Sequence, residues 1–157
     1  MRAVQRFNVL TGELPVQEDR SGYAWRGRRE GAREHGLRWF GASVYELPTA
    51  QWTFPFHYHH GVEEWLYVVI GAPTLRDPSG ERVLAPGDVV CFPSGPDGAH
   101  AVRGPGRVVI FSGVASADAA SVSVYPDSDK VGVRPPRGGP DRLNFRRGDA
   151  VDYWDGE

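Results

Sequence analysis

Cysteine, long hydrophobic runs and an excess of one charge are scarce or missing in this sequence of 157 residues. The one cysteine, Cys91, excludes an internal disulfide and suggests a reducing compartment, and its apolar setting VVCFP predicts a buried, unreactive thiol. The longest apolar run, residues 65–70, is too short to cross a bilayer, and the N-terminal residues lack the apolar core of a signal peptide. The net charge of −2 gives no sign of the basic surface stripe that nucleic-acid binding would need. We therefore expect a cytoplasmic protein that binds neither membrane nor nucleic acid.

Glycine and proline are abundant, at 20 and 13 residues, and they favour many turns and few long helices. The length is that of a single domain. We divide the chain into a polar N-terminal extension (residues 1–36), a region of short strands (residues 37–125), and a C-terminal linker and tail (residues 126–157). For the charged stretch GRREGAREHG, residues 27–36, a short helix and a loop are equally plausible.

The central region alternates short apolar segments with turn signals such as Pro-Gly and Pro-Ser-Gly. Short strands at this spacing indicate an all-β sandwich or barrel. The predicted strands are residues 39–47, 52–59, 64–70, 74–76, 82–84, 89–92, 100–103, 108–113 and 122–125.

The stretch FHYHHGVEEWLYVVIG contains residue types that bind metals. Side chains alternate along a strand, so His57 and His59 lie on one face. On the following strand Glu64 shares a face with aliphatic side chains, where a buried carboxylate is costly unless it is paired or binds a cation. A third imidazole, His100, ends the segment CFPSGPDGAH and must be brought to the same point by tertiary folding. Three imidazoles and a carboxylate suit one divalent ion of Zn, Fe, Mn, Ni, Co or Cu, and the ligand types do not select among them.

A histidine also has a simpler interpretation as a surface or core side chain, which we apply to His35 and His60. Two histidines spaced two apart on a strand are weak evidence by themselves. The carboxylate on the next strand and the histidine after a Pro-x-Gly turn make chance a poorer explanation. We therefore favour metal binding.

The same residues resemble the first of two motifs of the cupin superfamily, G(x)5HxH(x)3–4E(x)6G. The match consists of His57, His59, Glu64 and Gly71, and Gln51 stands at the position of the first glycine. The second motif, G(x)5PxG(x)2H(x)3N, is similar to the segment from residue 87 to residue 104. Four residues, rather than two, precede the histidine there, and Gly104 stands where the family often has asparagine. The matching residues of this second motif are Gly87, Pro93, Gly95 and His100.

The resemblance covers about residues 40–115 and implies a small antiparallel jelly-roll barrel with a small-molecule ligand inside it. Within the superfamily the chain is similar to small single-domain bacterial cupins of the sugar-phosphate-isomerase-like type. Because fold does not determine function, three hypotheses remain. The protein is a metal-dependent enzyme acting on a small polar substrate such as a sugar or sugar phosphate, an Fe- or Cu-dependent dioxygenase, or a non-catalytic metal- or small-ligand-binding protein.

Isomerisation would need a base in addition to the metal ligands, and the sequence offers only Glu63 and Tyr67 as guesses. The lack of an obvious base mildly favours the dioxygenase. A phosphate-bearing substrate would need a cation at the mouth of the barrel. Four arginines lie on or near strands, although solvated surface positions are the favoured interpretation for each: Arg76, Arg82, Arg103 and Arg107.

Two further expectations concern surfaces. Trp65, Tyr67 and Val69 share the face opposite Glu64, and an apolar outer face with exposed sheet edges favours a homodimer. The C-terminal residues 144–157 are too aromatic for a plain disordered end, so we expect this tail to dock on its own barrel or on a partner. Its apolar side chains are Phe145, Val151, Tyr153 and Trp154.

Overall fold

Antiparallel β-strands form almost all of the regular structure in the computed structural model, which describes residues 6–30, 39–114, 119–136 and 141–157. Single 3-10 turns lie at Pro96–Gly98, Pro126–Ser128 and Arg147–Asp149. The strands are β1 (Val16–Arg20), β2 (Tyr23–Glu30), β3 (Phe40–Leu47), β4 (Tyr58–His60), β5 (Val62–Gly71), β6 (Thr74–Asp77), β7 (Gly80–Val83), β8 (Val89–Phe92), β9 (Ala101–Arg103), β10 (Gly106–Val114), β11 (Ser121–Tyr125), β12 (Lys130–Arg134) and β13 (Leu143–Arg146).

These strands form three sheets. The largest has the order β1-β2-β3-β10-β5-β8, the second β13-β12-β11-β4, and the smallest β7-β6-β9. All pairs between strands are antiparallel, and neighbours in the sheets are often distant in sequence, as when β10 lies between β3 and β5. This all-β jelly-roll architecture confirms the fold predicted from the sequence. Within the described residues, no helix is both long and apolar enough to span a membrane.

Strand β5 separates the interior from the outer surface by the expected alternation. Leu66 and Val68 are fully buried, whereas Trp65 and Tyr67 are exposed on the opposite face. The register with β10 shifts at Arg107/Val108, so that one extra residue of β5 is accommodated in a bulge. A bulge reverses the alternation beyond it. Ile70, which the alternation alone places with the buried residues, is therefore 47% exposed.

The hydrophobic core lies between the sheets and is built from aliphatic and aromatic side chains of nearly every strand. Its largest fully buried members are Leu66 and Leu75. At one end of the core three aromatic rings pack together: Trp25 meets Tyr45 edge to face at 5.0 Å, and Phe54 contacts both. This aromatic cluster adjoins the histidines, because Phe54 also packs against His57.

The N-terminal extension contributes two strands to the largest sheet, since β2 pairs with both β1 and β3. For residues 27–36 the sequence left a helix or a loop open, but residues 27–30 belong to β2. The rest of that stretch, including His35, lies outside the described residues. The three-part division of the chain at residues 36 and 125 stays a prediction.

The C-terminal region also pairs with the barrel. Residues that the composition placed in a linker form β12, which pairs with β11 on one side and β13 on the other. The backbone of the tail is therefore attached to its own chain through Arg146. Beyond this point Val151, Tyr153 and Trp154 are 70%, 82% and 71% exposed. Their burial is not achieved within the single chain, and their docking on a partner stays a prediction.

Cys91 is exposed, so the prediction of a buried thiol is wrong. The residue lies on β8, an edge strand of the largest sheet, directly opposite Trp65. Strand alternation places Cys91 and Trp65 on the outer face, while the neighbouring Phe92 points into the core. An apolar local sequence did not reveal which face the thiol would occupy.

We expect Gly71→Ala to destabilise the fold strongly. Gly71 has a φ of +88°, and a Cβ atom there would lie 2.5 Å from the Cα atom of Gly106. The left-handed conformation and the backbone clash should together cost about 2–4 kcal/mol, measured by urea denaturation.

Gly80→Ala is the matched control. Gly80 also has a positive φ, +131°, but its Cβ would meet nothing within 4 Å. The control should lose stability through backbone strain alone. Equal losses for the two variants would contradict the role of the close approach between Gly71 and Gly106.

Candidate metal centre

Three separate segments bring the predicted ligands together. His57 and His100 face each other across an isolated antiparallel bridge, with reciprocal backbone hydrogen bonds of 3.1 and 2.8 Å. His59 lies in β4, and Glu64 lies on the inward face of β5. The β-bridge provides what sequence spacing could not, because it fixes His100 beside the two histidines of the first segment.

The imidazole and carboxylate atoms converge on one point. The Nε2 atoms of His57 and His59 are 3.1 Å apart, and Oε2 of Glu64 lies 3.4 Å from Nε2 of both His59 and His100. Ligand atoms of His57, Glu64 and His100 all lie within 4.8 Å of one another. The three imidazoles are buried, with 3–9% of each residue exposed.

Hydrogen bonds at the far side of the rings orient two of the imidazoles. Nδ1 of His57 lies 2.8 Å from the carbonyl oxygen of Pro55, and Nδ1 of His100 lies 2.9 Å from that of Gly98. A carbonyl oxygen only accepts, so each Nδ1 carries the proton and donates it. Each Nε2 is then left with a free lone pair directed at the centre, which is the arrangement of metal-binding histidines.

The third imidazole has a more adaptable partner. Nδ1 of His59 lies 2.9 Å from Oγ of Ser123, which faces it across the pair formed by β4 and β11. A hydroxyl group can donate or accept. When the His59 proton is on Nε2, the Ser123 hydroxyl can donate to Nδ1. When the proton is on Nδ1, the hydroxyl can accept it, and Nε2 keeps a lone pair that can bind a metal.

The carboxylate is held in its ionised form. Burial raises the pKa of Glu64, but hydrogen bonds from His59 and Ser112 and the nearby imidazoles outweigh burial and lower that pKa to about 2. Ser112 donates to Oε1 at 2.6 Å, which leaves Oε2 directed towards the imidazoles.

Two imidazoles are kept neutral. Burial is the main cause that lowers the pKa of His57 to about 3, and burial also lowers the pKa of His100. Neutral imidazoles and an ionised carboxylate are the protonation states that metal ligation requires.

Aromatic side chains fix the planes of the rings. Phe92 stacks on His100 with ring centroids 3.7 Å apart, and Tyr125 stacks on His57 at 5.8 Å. With Phe54 against His57, three aromatic residues restrict ring rotation around the centre.

The cluster lines an open cavity of about 370 Å3. Hydroxyl-bearing and aliphatic side chains form most of the remaining wall, and two arginines also contribute to it. The lining residues are Ser43, Tyr45, Phe54, Pro55, His57, His59, Glu64, His100, Ile110, Ser112, Tyr125, Arg134 and Arg142.

The candidate bases named from the sequence lie elsewhere. Glu63 and Tyr67 are exposed on the face of β5 opposite Glu64, so neither can act on a ligand in the cavity. His60 is exposed, as expected for a surface histidine.

The four arginines considered for phosphate binding are all engaged outside the cavity. Arg76 forms two hydrogen bonds with Asp127, and Arg82 pairs with Asp77. Arg103 pairs with Glu81, and Arg107 pairs with Glu46 and donates to the carbonyl groups of Val9 and Leu10. The interpretation as solvated surface residues agrees with these contacts for Arg76, Arg82 and Arg103. It is wrong for Arg107, whose side chain is only 12% exposed.

Sequence reasoning missed the residues that support the ligands. Ser112 and Ser123 lie on strands that were predicted from the sequence. Each follows an apolar residue on its strand, and this alternation could have identified them as candidates for inward-facing polar side chains. Arg134 is the last residue of β12 and Arg142 immediately precedes β13, both in the C-terminal region that the composition had assigned to a linker and a tail.

A comparison with protein families identifies the central region. The family described as the cupin domain matches residues 43–112, a little under half of the chain. Residues 43–112 are therefore similar to the cupin domain, and the resemblance to the cupin superfamily noted in the sequence is confirmed. A search of curated proteins finds no significant match.

Solved structures share the fold. A sugar phosphate isomerase of the cupin superfamily from Silicibacter pomeroyi is 20% identical, with a TM-score of 0.70 over 96% of this chain and 98% of that one. A protein provisionally named a sugar phosphate isomerase, from Acidithiobacillus ferrooxidans, is 24% identical, with a TM-score of 0.69 over 83% and 81%. A cupin-like protein from Thermotoga maritima is 19% identical, with a TM-score of 0.53 over 66% and 80%. At these identities the likeness establishes the fold alone.

We expect the metal-free protein to lose stability in acid because of its buried imidazole. The pKa of His57 is lowered to about 3 in the folded state, so the unfolded chain takes up the proton first and stability falls as the pH decreases from 6.5 towards 3. Glu64 acts in the same direction below its ordinary pKa of 4.5, since its folded pKa is about 2.

The His57→Gln variant should show a shallower decline between about pH 6.5 and pH 4, measured by urea denaturation in the presence of a chelator. His60→Gln, at an exposed histidine, is the control and should keep the slope of the native chain. A His57→Gln variant with the native slope would refute the role of this imidazole.

Proposed function

We propose that His57, His59, Glu64 and His100 bind one divalent transition-metal ion. The supporting observation is the convergence of His57, Glu64 and His100, with Nε2 of His59 3.1 Å from Nε2 of His57 and 3.4 Å from Oε2 of Glu64. The proton positions of His57 and His100 and the lowered pKa of Glu64 are suited to ligation. Three nitrogen ligands and one oxygen ligand are compatible with Zn, Fe, Mn, Ni, Co or Cu, so the donor set does not select the metal.

We further propose that the protein is a metal-dependent enzyme that acts on a small polar substrate such as a sugar or sugar phosphate. The observation that supports this function is the position of the cluster in the wall of an open cavity lined by hydroxyl groups. A bound divalent ion would supply a Lewis acid that polarises a substrate oxygen. The chain's own residues then hold the substrate: Ser43, Tyr45 and Tyr125 place side chains with hydroxyl groups along the wall of the cavity.

A dioxygenase is the second candidate, and one observation favours it. Among the described residues that line the cavity, Glu64 has the only carboxylate, so no second carboxylate is present to act as a base. Oxygen uptake by Fe(II)-loaded protein would identify the dioxygenase, whereas turnover of a phosphosugar without oxygen would identify the isomerase type. A protein that binds metal but does neither would be a binding protein.

Elemental analysis of protein purified without added metal tests the ligand assignment. We expect about one metal ion per native chain and none in the double variant His59→Ala, His100→Ala, because loss of two of four ligands leaves too few donors. His60→Ala is the control, since it removes an adjacent imidazole that is exposed. Unchanged metal content in the double variant would rule out this set of ligands.

We also propose that the chain forms a homodimer through the outer face of the largest sheet. Phe40, Trp65, Tyr67 and Val89 are 38–54% exposed there, and with Phe111 they form an apolar groove of about 430 Å3. A contiguous apolar patch on a sheet face is typical of an interaction surface, and a two-fold dimer is the commonest closed assembly. The exposed aromatic tail is a second apolar surface that a partner copy could cover.

Light scattering at micromolar concentration should give the mass of a dimer for the native chain and that of a monomer for Trp65→Lys. The lysine would place a charge in the centre of the apolar groove. Val83→Lys is the control, because Val83 is 68% exposed on β7 of a different sheet. A monomeric native chain, or a Trp65→Lys variant that remains dimeric, would contradict this interface.

A further inference from the structure

The Nε2 atoms of His57 and His59 lie 3.1 Å apart, which is close enough to determine where a proton lies between them. A neutral imidazole has one N–H group and one lone pair, and burial keeps the ring of His57 neutral. The proton of this ring is on Nδ1, which donates to the carbonyl oxygen of Pro55 at 2.8 Å. Nε2 of His57 therefore presents a lone pair to His59.

His59 supplies the donor for this lone pair. Two lone pairs that face each other at 3.1 Å would repel, whereas an N–H group on one of the rings gives a hydrogen bond. Oε2 of the Glu64 carboxylate, 3.4 Å from the same nitrogen, is a second acceptor for it. Nε2 of His59 therefore carries a proton in the metal-free chain.

The other side of the His59 ring faces a buried hydroxyl group. When the single proton of the neutral ring is on Nε2, Nδ1 has a lone pair, so Oγ of Ser123, 2.9 Å away, donates to it. Ser123 is 2% exposed and pairs directly with His59 between β4 and β11. The strand pairing thus fixes the hydroxyl group against the ring, where water has little access.

The proton on Nε2 of His59 occupies the place that a metal ion needs. A ligating imidazole must offer a lone pair. Two nitrogen atoms that bind one zinc ion, at about 2.0–2.1 Å each, have a separation similar to the observed 3.1 Å. The two rings therefore need little movement to bind a metal, but the proton of His59 must leave Nε2. The ring stays neutral if a proton is gained at Nδ1, by exchange with solvent that reaches the cluster through the open cavity.

We propose that Ser123 is a positioning residue that donates to Nδ1 of His59 in the metal-free protein and accepts from it in the metal-bound protein, which rests on the proposed function in that His59 is a ligand. A carbonyl oxygen, as at the Nδ1 atoms of His57 and His100, serves only a protonated Nδ1 because it cannot donate. A hydroxyl group serves both states. His59 is therefore the ligand whose proton moves, while the protons of the other two rings stay in place.

Nitrogen-15 NMR of protein with labelled histidines shows which ring nitrogen holds each proton. The spectra are recorded in a chelator at about pH 8, above the ordinary imidazole pKa of about 6.5. We expect the proton on Nε2 in His59 and on Nδ1 in His57 and His100. One equivalent of zinc, added without the chelator, should move the His59 proton to Nδ1 and leave the other two in place. The variant His59→Gln assigns the His59 signals.

Substitutions of the serine provide a second measurement, the affinity for zinc in competition with a chelating dye. Ser123→Ala leaves the Nδ1–H group of the metal-bound ring without its acceptor, so affinity should fall about 10–100-fold. Ser123→Thr keeps the hydroxyl group and should bind zinc like the native chain. Ser121→Ala is the matched control, because Ser121 lies two residues along the same face of β11, and this variant should also keep the native affinity.

A His59 proton on Nδ1 in the metal-free native chain would overturn the proposal. Native zinc affinity in Ser123→Ala would also overturn it, as would zinc binding that leaves the His59 proton on Nε2. The NMR spectra separate this inference from the metal site. Zinc binding by a chain whose His59 proton is on Nδ1 before zinc is added refutes this inference alone. A His59 proton on Nε2 in a chain that binds no metal refutes the metal proposal.

Discussion

Burial of the Glu64 carboxylate is the constraint on which the site depends. The side chain is 12% exposed, where an uncompensated charge would be strongly unfavourable. Ser112 of β10 donates to one oxygen, while imidazoles from β4 and from the residue preceding β9 face the other. Each partner comes from a different segment of the chain, so the carboxylate is satisfied only when these segments have their native placement. The charge that makes the site suitable for a cation therefore also specifies the fold around it.

The alternation of side chains along a strand made the placement of His57, His59 and Glu64 predictable from the sequence. His57 and His59 are two residues apart and do converge, and Glu64 does share the buried face of β5 with Leu66 and Val68. These relations depend only on the two-residue period of a strand. The all-β fold was predictable for a similar reason, since its short strands and turns are encoded by neighbouring residues.

What the sequence could not reveal depends on contacts between distant segments or on small irregularities. The placement of His100 requires its backbone bridge with His57, and the exposure of Ile70 follows from a bulge that no local pattern marks. Cys91 was misjudged because an apolar local sequence does not show which face of the sheet a side chain occupies, and Cys91 lies on the outer face opposite Trp65. Strand β12, within a segment rich in glycine, proline and charge, exists because β11 and β13 supply hydrogen bonds on both of its sides.

The division of the site between segments also explains why family resemblance says little about the substrate. The cupin domain match ends at residue 112 and includes His57, His59, Glu64 and His100. The arginines that line the cavity come from β12 and the residue before β13, beyond that match. None of the four clustered residues lies on this C-terminal hairpin, so its side chains can change without altering the donor atoms at the centre. The proposed metal ligands therefore lie within the region that matches the cupin domain, and part of the cavity wall lies outside it.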